Sequence, residues 1–303
     1  MMIKRIFLFL ILNLLVIFTV GILIQVLGLN HYLAAAGTNY GSLLVFCALY
    51  GFVGAFISLQ LSRWSAKRMM RIQLIDPQNP QGRFEADLVE RIKSLCQRAG
   101  LQTLPEIGVY QSPEVNAFAT GPSKKRALLA ISSSLLNQMD GRAVEGVLGH
   151  EISHIANGDM VTMTLVQGVV NTFVIFLSQI IAFAIEQAVE RDSEGGGLGF
   201  IAQFFLVMTL ESVLMFLASP IIYWVSRRRE YRADAGSAKL SGAETMIYAL
   251  DSLKRSLGME DKRAPALSSF KINGHGHGIW SLLFSTHPPL DARIEALRRG
   301  SYS

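Results

Sequence analysis

His150-Glu151-Ile152-Ser153-His154 reads H-E-x-x-H, and after six intervening residues the run 161–188 begins, apolar enough and long enough to cross a bilayer. On a helix, positions i and i+4 share a face. Both imidazoles can therefore reach one Zn²⁺, while Glu151 beside them can hold a water and take its proton. Asp140 is placed to cap this helix and Gly158 to end it, with Val144, Val147, Leu148, Ile152 and Ile155 covering one broad side. The competing reading is a surface helix with two unligated histidines.

Working outward, half of the 303 residues are hydrophobic and only 17% are charged, with a mean hydropathy of +0.35. That is too apolar for an ordinary water-soluble domain. Four runs have the length needed for a hydrocarbon core of roughly 30 Å at about 1.5 Å per residue: 6–27, 41–61, 161–188 and 198–225. The third contains Gln167, Asn171, Gln179 and Glu186, and the fourth Gln203 and Glu211, so these two read as packed partners. A carboxylate in the middle of a span is costly to leave alone. Glu211 is expected to face Gln179, Asn171 or a wet groove, with a substrate-path role as the alternative.

Lys and Arg near the ends of the runs set the orientation. Lys4 and Arg5 precede the first run, the loop 28–40 has neither residue type, and Arg63, Lys67, Arg68 and Arg71 follow the second. The loop 190–197 is acidic apart from Arg191, and Arg227, Arg228 and Arg229 follow the fourth. The resulting expectation places both termini and 62–160 in the cytoplasm. The net charge of +5 records this asymmetry, and the basic residues lack the interleaved aromatics of a nucleic-acid surface. Ala34-Ala35-Ala36 mimics a signal cleavage site, but the first run is too long for a usual signal peptide, which favours a retained anchor. Cys47 and Cys96 show neither disulfide nor metal spacing and read as packing residues.

The remaining stretches predict a soluble part. Residues 84–99 have helical spacing and end at Gly100, while 107–110, 115–120 and 127–131 are short strands separated by turn signals. Residues 228–240 read as helix, Ser241-Gly242-Ala243-Glu244 has capping-box spacing, 265–278 is a loop, and Pro288-Pro289 can start a last helix. The expected fold is a mainly α membrane protein: four transmembrane helices plus a cytoplasmic α+β zincin-like domain with a small sheet. Its parts are two N-terminal spans (1–61), a protease part with the sheet and the His150–His154 helix (62–160), a transmembrane hairpin (161–226) and a second protease part (227–303).

Two histidines leave a catalytic zinc site short of one protein ligand, with the fourth position kept for water. A hairpin of the third and fourth spans brings the residues after His154 close to Glu230. Glu230 and Asp234 are four apart on one helical face, which suits Glu230 as third ligand and Asp234 as acceptor for a histidine N–H. The alternatives are a solvated acidic pair balancing nearby arginines, and Glu145 as a rival ligand on the histidine helix itself.

These residues, with Ile155-Ala156-Asn157-Gly158-Asp159, Val115-Asn116-Ala117-Phe118-Ala119-Thr120-Gly121 and Thr286-His287-Pro288-Pro289-Leu290-Asp291, resemble the HtpX family. These are bacterial heat-shock membrane metalloproteases of the gluzincin class, related to the CAAX prenyl proteases. The resemblance covers nearly the whole chain. It implies one Zn²⁺ held by His150, His154 and Glu230, with Glu151 as general base and acid. Asn116, Ala117 and Phe118 are expected on an edge strand that takes substrate main chain in extended form. It also implies a multi-pass protein of the bacterial inner membrane that cleaves misfolded or damaged membrane proteins, and itself, in protein quality control under stress.

His287 belongs to the same family pattern, where it either donates to the oxyanion or substrate or merely starts a helix. His275 and His277 read as part of a polar loop, and His31 as a solvated residue. Two other functions compete: an intramembrane zinc protease, opposed by the charges at Asp140, Arg142, Glu145 and Glu151, and a non-enzymatic membrane scaffold or transporter.

Overall fold

The computed structural model describes residues 40–192, 198–260 and 285–300. The first predicted span, Ala34-Ala35-Ala36, His31, His275, His277 and the predicted loop 265–278 lie outside the described residues. In chain order the elements are α1 (Tyr40–Met69), β1 (Gln73–Ile75), α2 (Gly82–Arg98), β2 (Glu106–Tyr110), β3 (Ala117–Thr120), a 3₁₀ turn (Lys124–Arg126) and β4 (Leu128–Ser132). Then come α3 (Ser133–Gln138), α4 (Gly141–Asn157), α5 (Asp159–Asp192), α6 (Phe200–Ser241), α7 (Ala243–Glu260) and α8 (Leu290–Arg298).

Three described helices are long and apolar enough to cross a membrane: Leu43–Met69, Asp159–Glu190 and Phe200–Ser241. The chain is a mostly helical membrane protein with a small mixed sheet. The described residues fall into two units, one of 40–57 with Thr162–Ile222 and one of Ser58–Val161 with the residues from Tyr223 on.

In the first unit, Gly51 lies where a Cβ would come within 2.9 Å of Thr172 N, and Gly168 lies under the ring of Phe52. Cys47, Phe176 and Ile180 form a small buried cluster. Four of the polar residues that complicate the third and fourth runs pair among themselves: Gln167 donates to Asn171 at 2.8 Å, and Gln203 to Glu186 at 3.0 Å. Glu211 is half-buried.

The second unit is built on a sheet of order β1-β2-β4-β3, in which β2 and β4 run parallel and both outer pairs are antiparallel. Strand β4 is buried along its whole length. β1 escapes a sequence reading because it has three residues, two of them exposed. α2 presents Leu88, Val89, Ile92, Leu95 and Cys96 at helical spacing to the sheet and to α4, and Gly100 at φ 66° turns the chain after it. Burial pushes the Cys96 thiol up to about 11, so it is an inert packing residue.

α4 is capped as expected, Ala143 N donating to Asp140 Oδ1 at 2.9 Å, and Gly158 ends it in the left-handed conformation at φ 68°. Two expectations change. The fourth run and 228–240 are not separate helices: α6 is one helix of 42 residues, passing through Pro220. Nor does Ser241 open a capping box, because its hydroxyl donates back to Ser237 O at 2.9 Å and Gly242, at φ 94°, makes the corner into α7.

Around α4 the helices approach closely. A Cβ on Gly146 would stand 2.6 Å from Ala249 Cβ, on Gly149 2.7 Å from Ser237 Oγ, and on Gly236 2.5 Å from Ser153 Oγ. Ser237 Oγ also donates across the crossing to Gly146 O at 2.8 Å. Gly146→Val must therefore wedge α4 from α7, at a cost of about 1–3 kcal/mol. Gly54, which faces open space, is the control: Gly54→Ala leaves the melting temperature of the detergent-solubilised chain unchanged or raised, whereas Gly146→Val lowers it by several degrees.

Candidate metal centre

His150 and His154 are buried on successive turns of α4, with their rings edge to face at 4.7 Å between centroids. Each ring is fixed from its outer nitrogen. His150 Nδ1 lies 2.9 Å from Asp234 Oδ1, and His154 Nδ1 lies 2.7 Å from Asp159 Oδ2. A carboxylate at Nδ1 keeps a proton there, so in the neutral ring it is Nε2 that carries the lone pair. Those two Nε2 atoms face each other at 3.1 Å.

Glu230, 2% exposed, closes the third side from α6: Oε1 is 3.3 Å from His154 Nε2, and Oε2 is 3.5 Å from His150 Nε2. One ligand atom from each of the three residues lies within 4.8 Å of the others. Glu230 Oε2 is buried yet makes no hydrogen bond of proper geometry, although His287 Nδ1 is only 2.9 Å away. Nitrogen and oxygen acceptors converge here, an arrangement that positive charge, from a cation or from protons, can satisfy. The donor set of two imidazoles and one carboxylate fits a catalytic metal with an open position.

Protons are the alternative occupants. Burial opposes charge on His154, but Asp159 and Glu230 outweigh it and push its pKa up to about 10. His150 moves the same way, burial again opposing and Asp234 and Glu230 prevailing.

The other predicted residues fall around this point. Glu151 is half-buried on α4, next to His150, and its charge is felt at His154, Tyr110 and Arg293. Glu145, weighed as a rival ligand, instead pairs with Arg98 at 3.2 Å. His287 stands exposed beside Glu230, just before α8. Asn116 is exposed and leads into β3, with its N donating to Ser132 Oγ at 3.0 Å and its O accepting from Ser132 N at 2.9 Å. Ala117 and Phe118 are on β3, which among the described residues pairs with β4 on one side only and packs near α4. Phe118 rests against the ring of Tyr110 at 5.7 Å.

Two residues at the site were not assigned from sequence. Asp159 lies within a quoted motif but had no role; its position directly after a helix-ending glycine, five residues past His154, is the signal that it folds back on that ring. Arg293 forks onto Asp234, with Nε to Oδ2 at 2.7 Å and Nη2 to Oδ1 at 2.6 Å. Its signal is an arginine on the stripe of Leu290 and Leu297, where an apolar residue is expected.

The sequence profile described as Peptidase family M48 matches residues 83–301. A protein named Protease HtpX homolog from Methylacidiphilum infernorum (isolate V4) is 51% identical over 303 residues, covering 98% of this chain and 99% of its own. Another of that name, from Bacillus subtilis (strain 168), is 49% identical, covering 98% and 99%. Protease HtpX from Shewanella pealeana (strain ATCC 700345 / ANG-SQ1) is 48% identical, covering 97% and 99%. The crystal structure of S. mikatae Ste24p has a similar fold, with a TM-score of 0.62 and 21% identity over 97% of this chain and 67% of that one. With the profile spanning most of its length and such relatives end to end, the chain belongs to peptidase family M48, alongside the HtpX proteases.

Proposed function

We propose that this membrane-anchored metalloprotease is a zinc endopeptidase that cuts polypeptides at the cytoplasmic face of the bacterial inner membrane. The observation that carries the reading is the meeting of His150 Nε2, His154 Nε2 and the Glu230 carboxylate, with both outer imidazole nitrogens tied to carboxylates. His150, His154 and Glu230 hold the metal; Asp234 orients His150. When bound, zinc supplies Lewis acidity, polarising a scissile carbonyl and making water acidic enough to attack near neutral pH. Glu151 takes the proton of the attacking water and passes it to the departing amine, so no covalent enzyme intermediate is needed. His287, exposed at the rim, donates to the oxyanion or to substrate main chain.

Asn116, Ala117 and Phe118 present the free edge of the sheet, where an extended substrate adds as a further strand. Recognition through main chain fits the cleavage of misfolded or damaged membrane proteins and of the chain itself. The four spans and the division into 1–61, 62–160, 161–226 and 227–303 rest on the apolar runs, and the orientation with both termini inside on the distribution of Lys and Arg.

Glu151→Gln is expected to give a folded, zinc-loaded chain whose self-cleavage and casein cleavage fall by about 10²- to 10⁴-fold. Chelator should silence the wild type to a similar depth. A non-enzymatic scaffold would leave cellular function intact in Glu151→Gln.

Main-chain recognition makes a separate prediction. A peptide N-methylated at two alternate positions on the side that meets β3 loses hydrogen bonds worth about 1 kcal/mol each. Its cleavage should slow by about tenfold or more, while side-chain changes at the same positions have little effect. Equal sensitivity to both would remove strand addition.

The metal-free protein carries a pH signature. His154 has its ordinary value of 6.5 when unfolded and about 10 when folded, so its charge contributes stability in full below pH 6.5 that is lost as pH rises towards about 10. With chelator present, the melting temperature should decline across that window. Zinc held by His154 would take the place of that proton and should abolish the decline; a flat profile in chelator would exclude a protonated His154.

A further inference from the structure

Arg293 is 59 residues beyond Asp234 and 143 beyond His150, yet α8 delivers its guanidinium to both with its side chain only 7% exposed. The fork it makes uses both oxygens of Asp234, and one of them, Oδ1, is the atom 2.9 Å from His150 Nδ1. Nη2 also lies 3.4 Å from that Nδ1. With the proton on Nδ1 both atoms are donors, so no hydrogen bond passes between them and Arg293 reaches His150 through the carboxylate. Nη1 stands 3.5 Å from Glu230 Oε2. α8 itself is seated by Ile294 and Leu297 in a cluster with Met246, Ile247 and Leu250.

We propose that Arg293 is a positioning residue for the metal centre: its fork locks Asp234 onto His150, so that metal retention depends on the docking of the C-terminal helix. The inference rests on the reading of His150, His154 and Glu230 as metal ligands. A carboxylate held at both oxygens cannot rotate, and its grip on Nδ1 keeps the lone pair of His150 on Nε2. Freed from the arginine, Asp234 can turn away, and the ring can then move its proton to the nitrogen the metal needs.

The sign of the effect separates this role from a simple field effect. A guanidinium beside a dication repels it, so if charge alone mattered, removing Arg293 would tighten metal binding. Positioning through Asp234 requires the opposite.

The test uses the full chain in detergent and zinc affinity measured by competition with a chromophoric chelator, alongside melting curves of the metal-free protein. Arg293→Met is expected to weaken zinc binding by about 10- to 100-fold. Arg293→Lys should fall between, since an ammonium supplies charge and one contact but no planar fork. Asp234→Asn combined with Arg293→Met should bind no more weakly than Asp234→Asn alone, because the arginine acts through that carboxylate. Wild-type or tighter affinity in Arg293→Met overturns the proposal, even if its melting temperature drops, since that pattern describes a merely structural residue. Additive losses in the double variant overturn it as well. Should Arg293→Met fail to fold, Arg293→Lys decides alone: intermediate affinity supports the lock, and wild-type affinity overturns it. A wild-type chain that binds no zinc would remove the ligand reading beneath it, a result distinct from all of these.

Discussion

Two imidazole nitrogens 3.1 Å apart, both facing a buried carboxylate, form an arrangement that is held together by positive charge, whether a proton or a cation. Left to relax, the rings would turn and exchange protons. They are prevented from the outside, where Asp234 and Asp159 hold the two Nδ1 atoms. The unit consequently gathers three carboxylates of low exposure, Asp159, Glu230 and Asp234, around two histidines. Burying so much charge is unfavourable unless every group has a partner at good distance. Arg293 supplies part of the compensation, and the acceptors that remain define where a cation fits.

Such a cluster can persist only in a frame that does not yield. Glu230 and Asp234 come from α6, the histidines from α4, and backbone close to backbone is the only way to bring two helices of that kind so near. Gly149 and Gly236, with Ser153 and Ser237, leave no side chain thick enough to hold the axes apart. Gly158 adds a second device. Its left-handed conformation ends α4 and re-aims the chain, so that Asp159, the first residue of α5, returns to the ring of His154.

Local chemistry was the legible part. The i, i+4 histidines, the Asp140 cap, the Gly158 stop and the Glu230–Asp234 spacing are all set by helix geometry within a few residues, and helix periodicity is visible in any sequence. The sheet strands were found where turn residues punctuate them, while β1 was missed because three residues with one buried position carry no alternation. What sequence could not supply were distances between remote elements. Arg293 meets Asp234 through the packing of α8 on α7, and nothing within ten residues of either announces the other. The continuity of α6 was also hidden, since the change from apolar to basic residues near Arg227 reads as a boundary although the backbone hydrogen bonds run straight through it.

The β3 edge that is unpaired among the described residues and the helix of His150 and His154 are tied in register by contacts independent of any substrate. Ser132 receives Asn116 N at one end of the strand while also capping α3 through Leu135 N at 3.1 Å. Beyond the other end, Lys124 donates to Ala156 O near the end of α4. A strand pinned at its start and followed by an anchored turn keeps a fixed offset from Glu151. If a substrate adds to that edge, its main chain inherits the offset, and the peptide bond presented to Glu151 is set by how the backbone aligns. Side-chain pockets are then not needed to choose the site of cleavage. A protease that meets many damaged sequences gains more from such a ruler than from a pocket, because extended backbone is the feature all unfolded substrates share.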